Sequence, residues 1–207
     1  MKALSNHRGT PLINVVLFDL GGVLIELPPM ASFMARSALS ETELKSRWLT
    51  SRAVRDFESG RSTPERFGTA AIAEFELAMS AGEFIERFTG WPQGPMPGAR
   101  DTIEKLRARH HVACLSNTNA LHWERFDAEH DLPGWFDTTF ASHHLGMMKP
   151  DPEIYEHVVA ALDVDPSTIA FFDDNAVNVE AASGVGLTAR LARGPQDVSR
   201  HLASLMS

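Results

Sequence analysis

Cysteine is almost absent: Cys114 is the only one in 207 residues, so no intrachain disulfide can form. It sits in a hydrophobic run beside Leu115, where a thiol packs rather than reacts. No apolar stretch is long enough to span a bilayer, so no membrane association is expected. Met1 to Pro11 is polar and lacks the apolar centre of a signal peptide, so a cytoplasmic location is expected. Long lysine or arginine runs are missing and the formal net charge is −8, which argues against binding nucleic acid through its phosphates. Nine histidines are present, but none joins a cysteine or acidic residue at zinc-ligand spacing. A small anionic substrate stays compatible with the acidic balance, because one lysine and a metal ion can reverse the potential inside a cleft.

What is present is an ordinary globular composition, 43% hydrophobic and 22% charged, in a chain long enough for one substantial core and a small second unit. Ile13 to Phe18 reads as a fully buried strand, continuous and followed by glycines. Val112 to Leu115 and Ile169 to Phe172 read the same way, with Thr138 to Ala141 a weaker strand. Ala99, Ile103 and Leu106 give a helical face after the Pro97–Gly98 turn. Ile154, Val158 and Leu162 give another, after Asp151 as N-cap and Pro152 at the first helical position. Val179 and Ala182 lead to Gly184 as a helix stop. Such alternation makes an α/β fold: a Rossmann-like, mostly parallel sheet whose strand ends share one ligand-binding rim. Asp19, Ser116 and Asp173–Asp174 each follow a strand and so converge there.

Between Pro28–Pro29 and Pro92–Pro97 the pattern changes. Met30 to Leu39, Glu41 to Glu58, Pro64 to Met79 and Ala81 to Thr89 read as helices, with Ser40/Glu43 and Thr63–Pro64 as start signals. The expected organisation is a first piece of the sheet unit over 1–27, a small helical cap over 28–95 and the rest of the sheet unit over 96–207.

Asp19 is followed by Gly21–Gly22, which permits a tight turn and close approach of a ligand to the backbone. Adjacent Asp173 and Asp174 repel each other unless a cation or hydrogen bonds compensate, and hard oxygen ligands on one rim point to Mg²⁺. Ser116–Asn117–Thr118–Asn119 offers hydroxyls, amides and N–H groups at a helix start, a natural phosphate cradle, although Asn and Ser are also common caps. Lys149 can hold a phosphoryl oxygen and balance the acids. His122, Trp123, His143 and His144 lie close enough in sequence to face the cleft, while Trp48, Trp91 and Trp135 are expected to pack. Gly60–Arg61 reads as a turn between cap helices.

With these residues in place, the chain resembles the haloacid dehalogenase-like hydrolase superfamily, nearest a branch that includes bacterial α-D-glucose-1-phosphate phosphatases. The resemblance spans nearly the whole chain. It rests on Phe18–Asp19–Leu20–Gly21–Gly22–Val23, on Leu115 to Asn119, on Leu145 to Asp151 running into Ile154–Tyr155, and on Phe171 to Asn175 with Asn178. It implies that Asp19 attacks phosphorus and forms an aspartyl-phosphate, with Ser116, Asn117 and Lys149 binding the phosphoryl group. It also implies Mg²⁺ held by Asp19, the backbone carbonyl of Gly21, Asp174 and Asp173, the last directly or through water. The expected function is a Mg²⁺-dependent phosphomonoesterase for a small phosphorylated metabolite such as glucose 1-phosphate, working as a monomer or small homo-oligomer.

Gly21 departs from the pattern. Most phosphatases of the superfamily carry a second aspartate there, which protonates the leaving oxygen and later activates water. That function is commonly worth about 10²–10⁴-fold. His122 and a residue of the cap are the candidates to replace it. Met148 stands where relatives often have arginine. Two other readings follow from Gly21: a metal- or phospho-ligand-binding protein without turnover, or a metal-independent 2-haloacid dehalogenase, against which the Asp173–Asp174 pair argues.

Overall fold

The apolar run after Asn14 forms the centre of the sheet because every side chain in it, on either face, finds cover. The computed structural model describes residues 12–205; Met1 to Pro11, read above as lacking a leader, lies outside the described residues. Its strands are β1 (Val15–Phe18), β2 (Ile25–Glu26), β3 (Gly94–Pro95), β4 (His111–Ser116), β5 (Thr138–Ala141), β6 (Ile169–Asp173) and β7 (Thr188–Leu191). Five of them form one sheet in the order β5-β4-β1-β6-β7, all neighbours parallel. Phe18 pairs with Cys114 on one side and Phe172 on the other, so the ends of β1, β4 and β6 lie side by side, with β6 running one residue and β4 two residues further. β7 is not evident from sequence, because it is an edge strand in which only Ala189 is buried.

The helical insertion comprises α1 (Glu41–Thr50), α2 (Arg52–Glu58), α3 (Pro64–Glu74) and α4 (Ala81–Thr89). Ser40 and Glu43 form the expected capping box, and Thr63 caps α3 ahead of Pro64. The expected single helix over Glu41 to Glu58 breaks at Ser51, whose side chain caps α2 by accepting from the Val54 N–H. Met30 to Leu39 is not a helix beyond a 3₁₀ turn at Met30–Ser32. Met30, Phe33 and Met34 have helical spacing and are buried, yet Ser37 instead bridges Leu77 and donates to the Phe75 carbonyl. The α3 helix stops at Glu74 rather than Met79, with Glu76 in the left-handed region (φ 52°). This unit has its own core, built on Phe33, Phe57, Phe67, Phe75, Phe84 and Phe88, and the Phe57 and Phe67 rings stack 4.3 Å apart. The β2–β3 ribbon joins it to the sheet, where the flanking prolines had hidden both short strands.

Strict alternation along the strands divides the main core in two. Val16, Phe18, Val112, Cys114, Ala170 and Phe172 pack beneath α5 (Ala99–Arg107), α6 (Ala120–His130) and α10 (Gly194–Leu205). Val15, Leu17, Ala113, Leu115, Ile169 and Phe171 pack beneath α8 (Pro152–Leu162) and α9 (Ala176–Gly184), while the short α7 (Ser142–Leu145) follows β5 at the rim. Cys114 is fully buried, and burial pushes its thiol pKa up to about 12, so it packs as expected. Gly184 ends α9 without a left-handed turn; Gly186, at φ 102°, makes it. Asp151 occupies the N-cap position of α8, but its carboxylate pairs with Arg55 of α2 instead of capping.

Because Phe67 is buried at the centre of the insertion's aromatic cluster, Phe67→Ala is expected to destabilise the protein by about 3–5 kcal/mol. Urea unfolding followed by circular dichroism checks this; a loss below about 1 kcal/mol would show that the insertion lacks a core of its own.

Candidate active site

Strand register sets the geometry of the rim. Asp19 leaves β1 with its N–H bonded to the Phe172 carbonyl at 2.8 Å, which fixes it beside the end of β6. Lys149 enters from the loop before α8 and is 3% exposed. Its Nζ donates to Asp19 Oδ1 at 2.9 Å and to Asp173 Oδ2 at 2.6 Å. Asn117 holds this lysine in place from both sides: its Nδ2 donates to the Lys149 carbonyl at 2.8 Å and its Oδ1 accepts the Lys149 N–H at 2.9 Å. The side chain expected to bind phosphate is therefore committed to positioning Lys149, and only the Asn117 backbone is left to meet a ligand.

Asp173 is fully buried and saturated. Besides Lys149, it accepts from the Asn175 N–H at 2.8 Å and from Asn178 Nδ2 at 3.0 and 3.1 Å. Tyr155 supports Asn178 by donating its hydroxyl to the Asn178 carbonyl at 3.0 Å. Asp174 is less buried, and burial followed by the Asp173 charge raises its pKa. Burial likewise raises Asp19 to about 7, against the opposing pull of Lys149. Burial alone would discharge Lys149, but Asp173 and Asp19 reverse this and hold its pKa above the usual lysine range.

Asp19, Asp173 and Asp174 offer carboxylate oxygens within 4.8 Å of one another, an all-oxygen set with one lysine against three acids. That donor chemistry fits a hard divalent cation such as Mg²⁺. Gly22 makes the approach possible: at φ 72°, a Cβ placed on it would lie 2.4 Å from Asp174 Oδ2. Gly21 is different, since a Cβ there meets the Leu27 side chain at 2.8 Å. Leu27 thus stands where a second carboxylate would begin.

Ser116 ends β4, 4% exposed, and its Oγ makes only a long 3.4 Å contact to the Asn117 carbonyl among the described residues. It lines a pocket of about 80 Å³ between sheet and insertion, together with Gly21, Asn117, Thr118, His122 and Glu58. Asn119 is the N-cap of α6, accepting from the His122 N–H. Trp123 and Trp91 also reach the pocket. The His143 and His144 rings instead lie 4.0 Å apart, tilted by 44°, and each meets the Trp123 ring edge-on. Arg61 donates to the Gly146 carbonyl at 3.1 Å and joins the insertion to the sheet unit. Sequence reasoning missed Glu58 and Leu27; the one signal for Glu58 is an acid at the end of an otherwise apolar helix face, just before the Gly60 turn.

The family model of the haloacid dehalogenase-like hydrolases matches residues 13–186. Phosphatase MT3486 of Mycobacterium tuberculosis is 31% identical over 93% of this chain and 95% of its own length. D-ribitol-5-phosphate phosphatase of Bacteroides thetaiotaomicron is 26% identical, covering 84% of this chain and 89% of its own. Among solved structures, a Bacteroides thetaiotaomicron enzyme of the same family in complex with magnesium and inorganic phosphate superimposes with a TM-score of 0.73. It is 24% identical, and the match covers 87% of this chain and 94% of that one.

Removing the lysine alone leaves buried carboxylates uncompensated. Lys149→Met is expected to destabilise the fold by about 3–5 kcal/mol, and adding Asp173→Asn to recover part of the loss. Denaturant unfolding in a chelator checks both, and strictly additive losses would refute the coupling. Gly21→Asp is expected to cost less than about 1 kcal/mol, because the nearest atoms a Cβ meets belong to the exposed Leu27 side chain, which can swing away; a larger loss that Leu27→Ala restores would show that Leu27 is held in place.

Proposed function

Because the chain belongs to the haloacid dehalogenase-like hydrolase family, we propose that it is a Mg²⁺-dependent phosphomonoesterase with Asp19 as nucleophile. The carrying observation is the ion pair of Lys149 Nζ with Asp19 at 2.9 Å, on the rim that also holds Ser116 and Asp174. A buried cation beside the attacking carboxylate can hold a phosphoryl oxygen while the carboxylate oxygen approaches phosphorus. Ser116 Oγ, nearly free of other bonds, supplies a second donor from the opposite strand. Asp19 then forms the aspartyl-phosphate, and water cleaves it.

Mg²⁺ would be held by Asp19, the Gly21 carbonyl, Asp174 and, directly or through water, Asp173, whose oxygens also accept from Lys149, the Asn175 N–H and Asn178. When bound, the ion neutralises phosphoryl charge and orients the attack. The substrate we favour is a sugar phosphate or a similar small phosphorylated metabolite, glucose 1-phosphate among them. The D-ribitol-5-phosphate phosphatase relative supports the polyol class. The pocket of about 80 Å³ lies far below the size of common small-molecule sites of roughly 300–1,000 Å³. A whole sugar phosphate therefore enters only when the helical insertion moves away from the rim. Gly21 favours one second reading, ligand binding without turnover, and activity separates the two.

Inorganic phosphate release from a panel of sugar phosphates is expected to require Mg²⁺. Asp19→Asn is expected to lower it by at least about 10³-fold while leaving the fold intact. Retention of activity in Asp19→Asn would exclude it as the nucleophile, and phospho-ligand binding without release would favour the second reading.

A further inference from the structure

A sugar alcohol leaves phosphorus slowly as an alkoxide, and a positioned general acid commonly accelerates that step by about 10²–10⁴-fold. Gly21 has no side chain to provide the proton. Two titratable side chains line the pocket, His122 and Glu58. His122 is committed elsewhere: Nε2 bonds the Phe88 carbonyl at 2.7 Å and Nδ1 faces Asn119 Nδ2 at 3.1 Å. That pairing places its one proton on Nε2, aimed at a carbonyl. Burial also pushes its pKa down to about 4, so it has no proton to give to a ligand.

Glu58 is the last residue of α2, and this end of the helix is anchored to the sheet unit. Ser142 Oγ lies 2.5 Å from the Glu58 carbonyl oxygen and accepts the Thr118 N–H at 2.9 Å, so one hydroxyl links Glu58 to the loop that carries Ser116. Gly60, at φ 72°, passes so close to α7 that a Cβ on it would be 2.4 Å from the His143 carbonyl oxygen. Arg55 pairs with Asp151, and Arg61 donates to Gly146. Among the described residues the Glu58 carboxyl itself has no hydrogen-bond or ion-pair partner. The charged and titratable groups around this end of α2 are Lys149, Asp151 with Arg55, Asp56 with Arg61, His122 and His143.

We propose that Glu58 is the general acid and base of this site, supplied by the insertion in place of the carboxylate that Gly21 lacks. The inference rests on the phosphatase reading. As Asp19 bonds to phosphorus and the ester P–O bond breaks, the Glu58 proton passes to the departing oxygen, giving the free alcohol. Glu58 carboxylate then takes a proton from the water that attacks the aspartyl-phosphate. The bond from phosphorus to Asp19 breaks, inorganic phosphate leaves, and protonated Glu58 and ionised Asp19 are restored. Burial supports this by raising the Glu58 pKa to about 7, against the opposing Lys149 charge, so that both protonation states are populated near neutrality. Because Glu58 rides on the insertion, the site is complete only when that unit is seated on the rim.

The test compares Glu58→Gln with wild type on p-nitrophenyl phosphate, whose leaving group needs no proton, and on the best sugar phosphate of the panel. Alcohol release in a single turnover is expected to fall about 10²–10⁴-fold on the sugar phosphate. On p-nitrophenyl phosphate it should fall less than about tenfold, with aspartyl-phosphate accumulating because its hydrolysis is slowed. Equal losses on both esters, or no loss on either, would overturn the role of Glu58 and leave the phosphatase reading standing. Wild-type protein inactive on both would overturn both. A second measurement needs no variant: wild-type kcat/KM on the sugar phosphate should fall above neutral pH as Glu58 loses its proton, more steeply than on p-nitrophenyl phosphate. Identical profiles for the two esters would count against Glu58 even if Glu58→Gln failed to fold.

Discussion

The buried ion pairs of Lys149 with Asp19 and Asp173 are the constraint around which the rim is built. Three carboxylates cannot crowd one end of a sheet in a low-dielectric setting without a cation, and Lys149 compensates only part of their charge. The remaining imbalance is what makes the site suited to a divalent ion and a phosphoryl group. It also explains the supporting residues. Asn117 fixes the lysine backbone, Asn178 and the Asn175 N–H satisfy Asp173, and Tyr155 holds Asn178. The Asn117, Asn178 and Tyr155 side chains thus serve to position one ammonium group and one carboxylate.

Division of labour between the two units follows from that arrangement. The sheet unit holds the charges rigidly, since its central strands are buried on both faces and their ends lie side by side. The insertion has an aromatic core of its own and meets the sheet unit at two places: α2 and the Gly60 turn, from which Arg55, Glu58 and Arg61 reach separate points, and the end of α4, whose Phe88 and Thr89 carbonyls bond His122 and Arg125 of α6. A unit with an independent core can move as a body, whereas the rim cannot rearrange without exposing buried charge. On the reading proposed above, substrate admission and the final proton transfer fall to the insertion, and phosphoryl binding to the sheet.

Much of this was legible in the chain. Asp19, Ser116 and the Asp173–Asp174 pair each follow a run of buried β residues, and parallel α/β connectivity is enough to bring such positions together. Lys149 was legible as a compensating charge. Asn117 was legible as a polar residue at the right place but not in its role, because an amide beside a serine reads alike whether it meets phosphate or a backbone. The helical spacing of Met30, Phe33 and Met34 misled, since those side chains fill the insertion's core from a segment that bridges Leu77. The edge strand β7 was invisible because only one of its residues is buried.

Sequence by itself therefore determined the parallel sheet, the helical insertion, the acidic rim and the family to which they belong, because periodicity and strand-end position are local properties carried by neighbouring residues. Tertiary structure alone decided which side chains are free to act. It committed Asn117 to Lys149 and His122 to Phe88, set Leu27 over Gly21, and brought Glu58 into the pocket from a helix far away in sequence. Those outcomes depend on which partner a polar group finds after the chain has packed, and no local pattern encodes that partner.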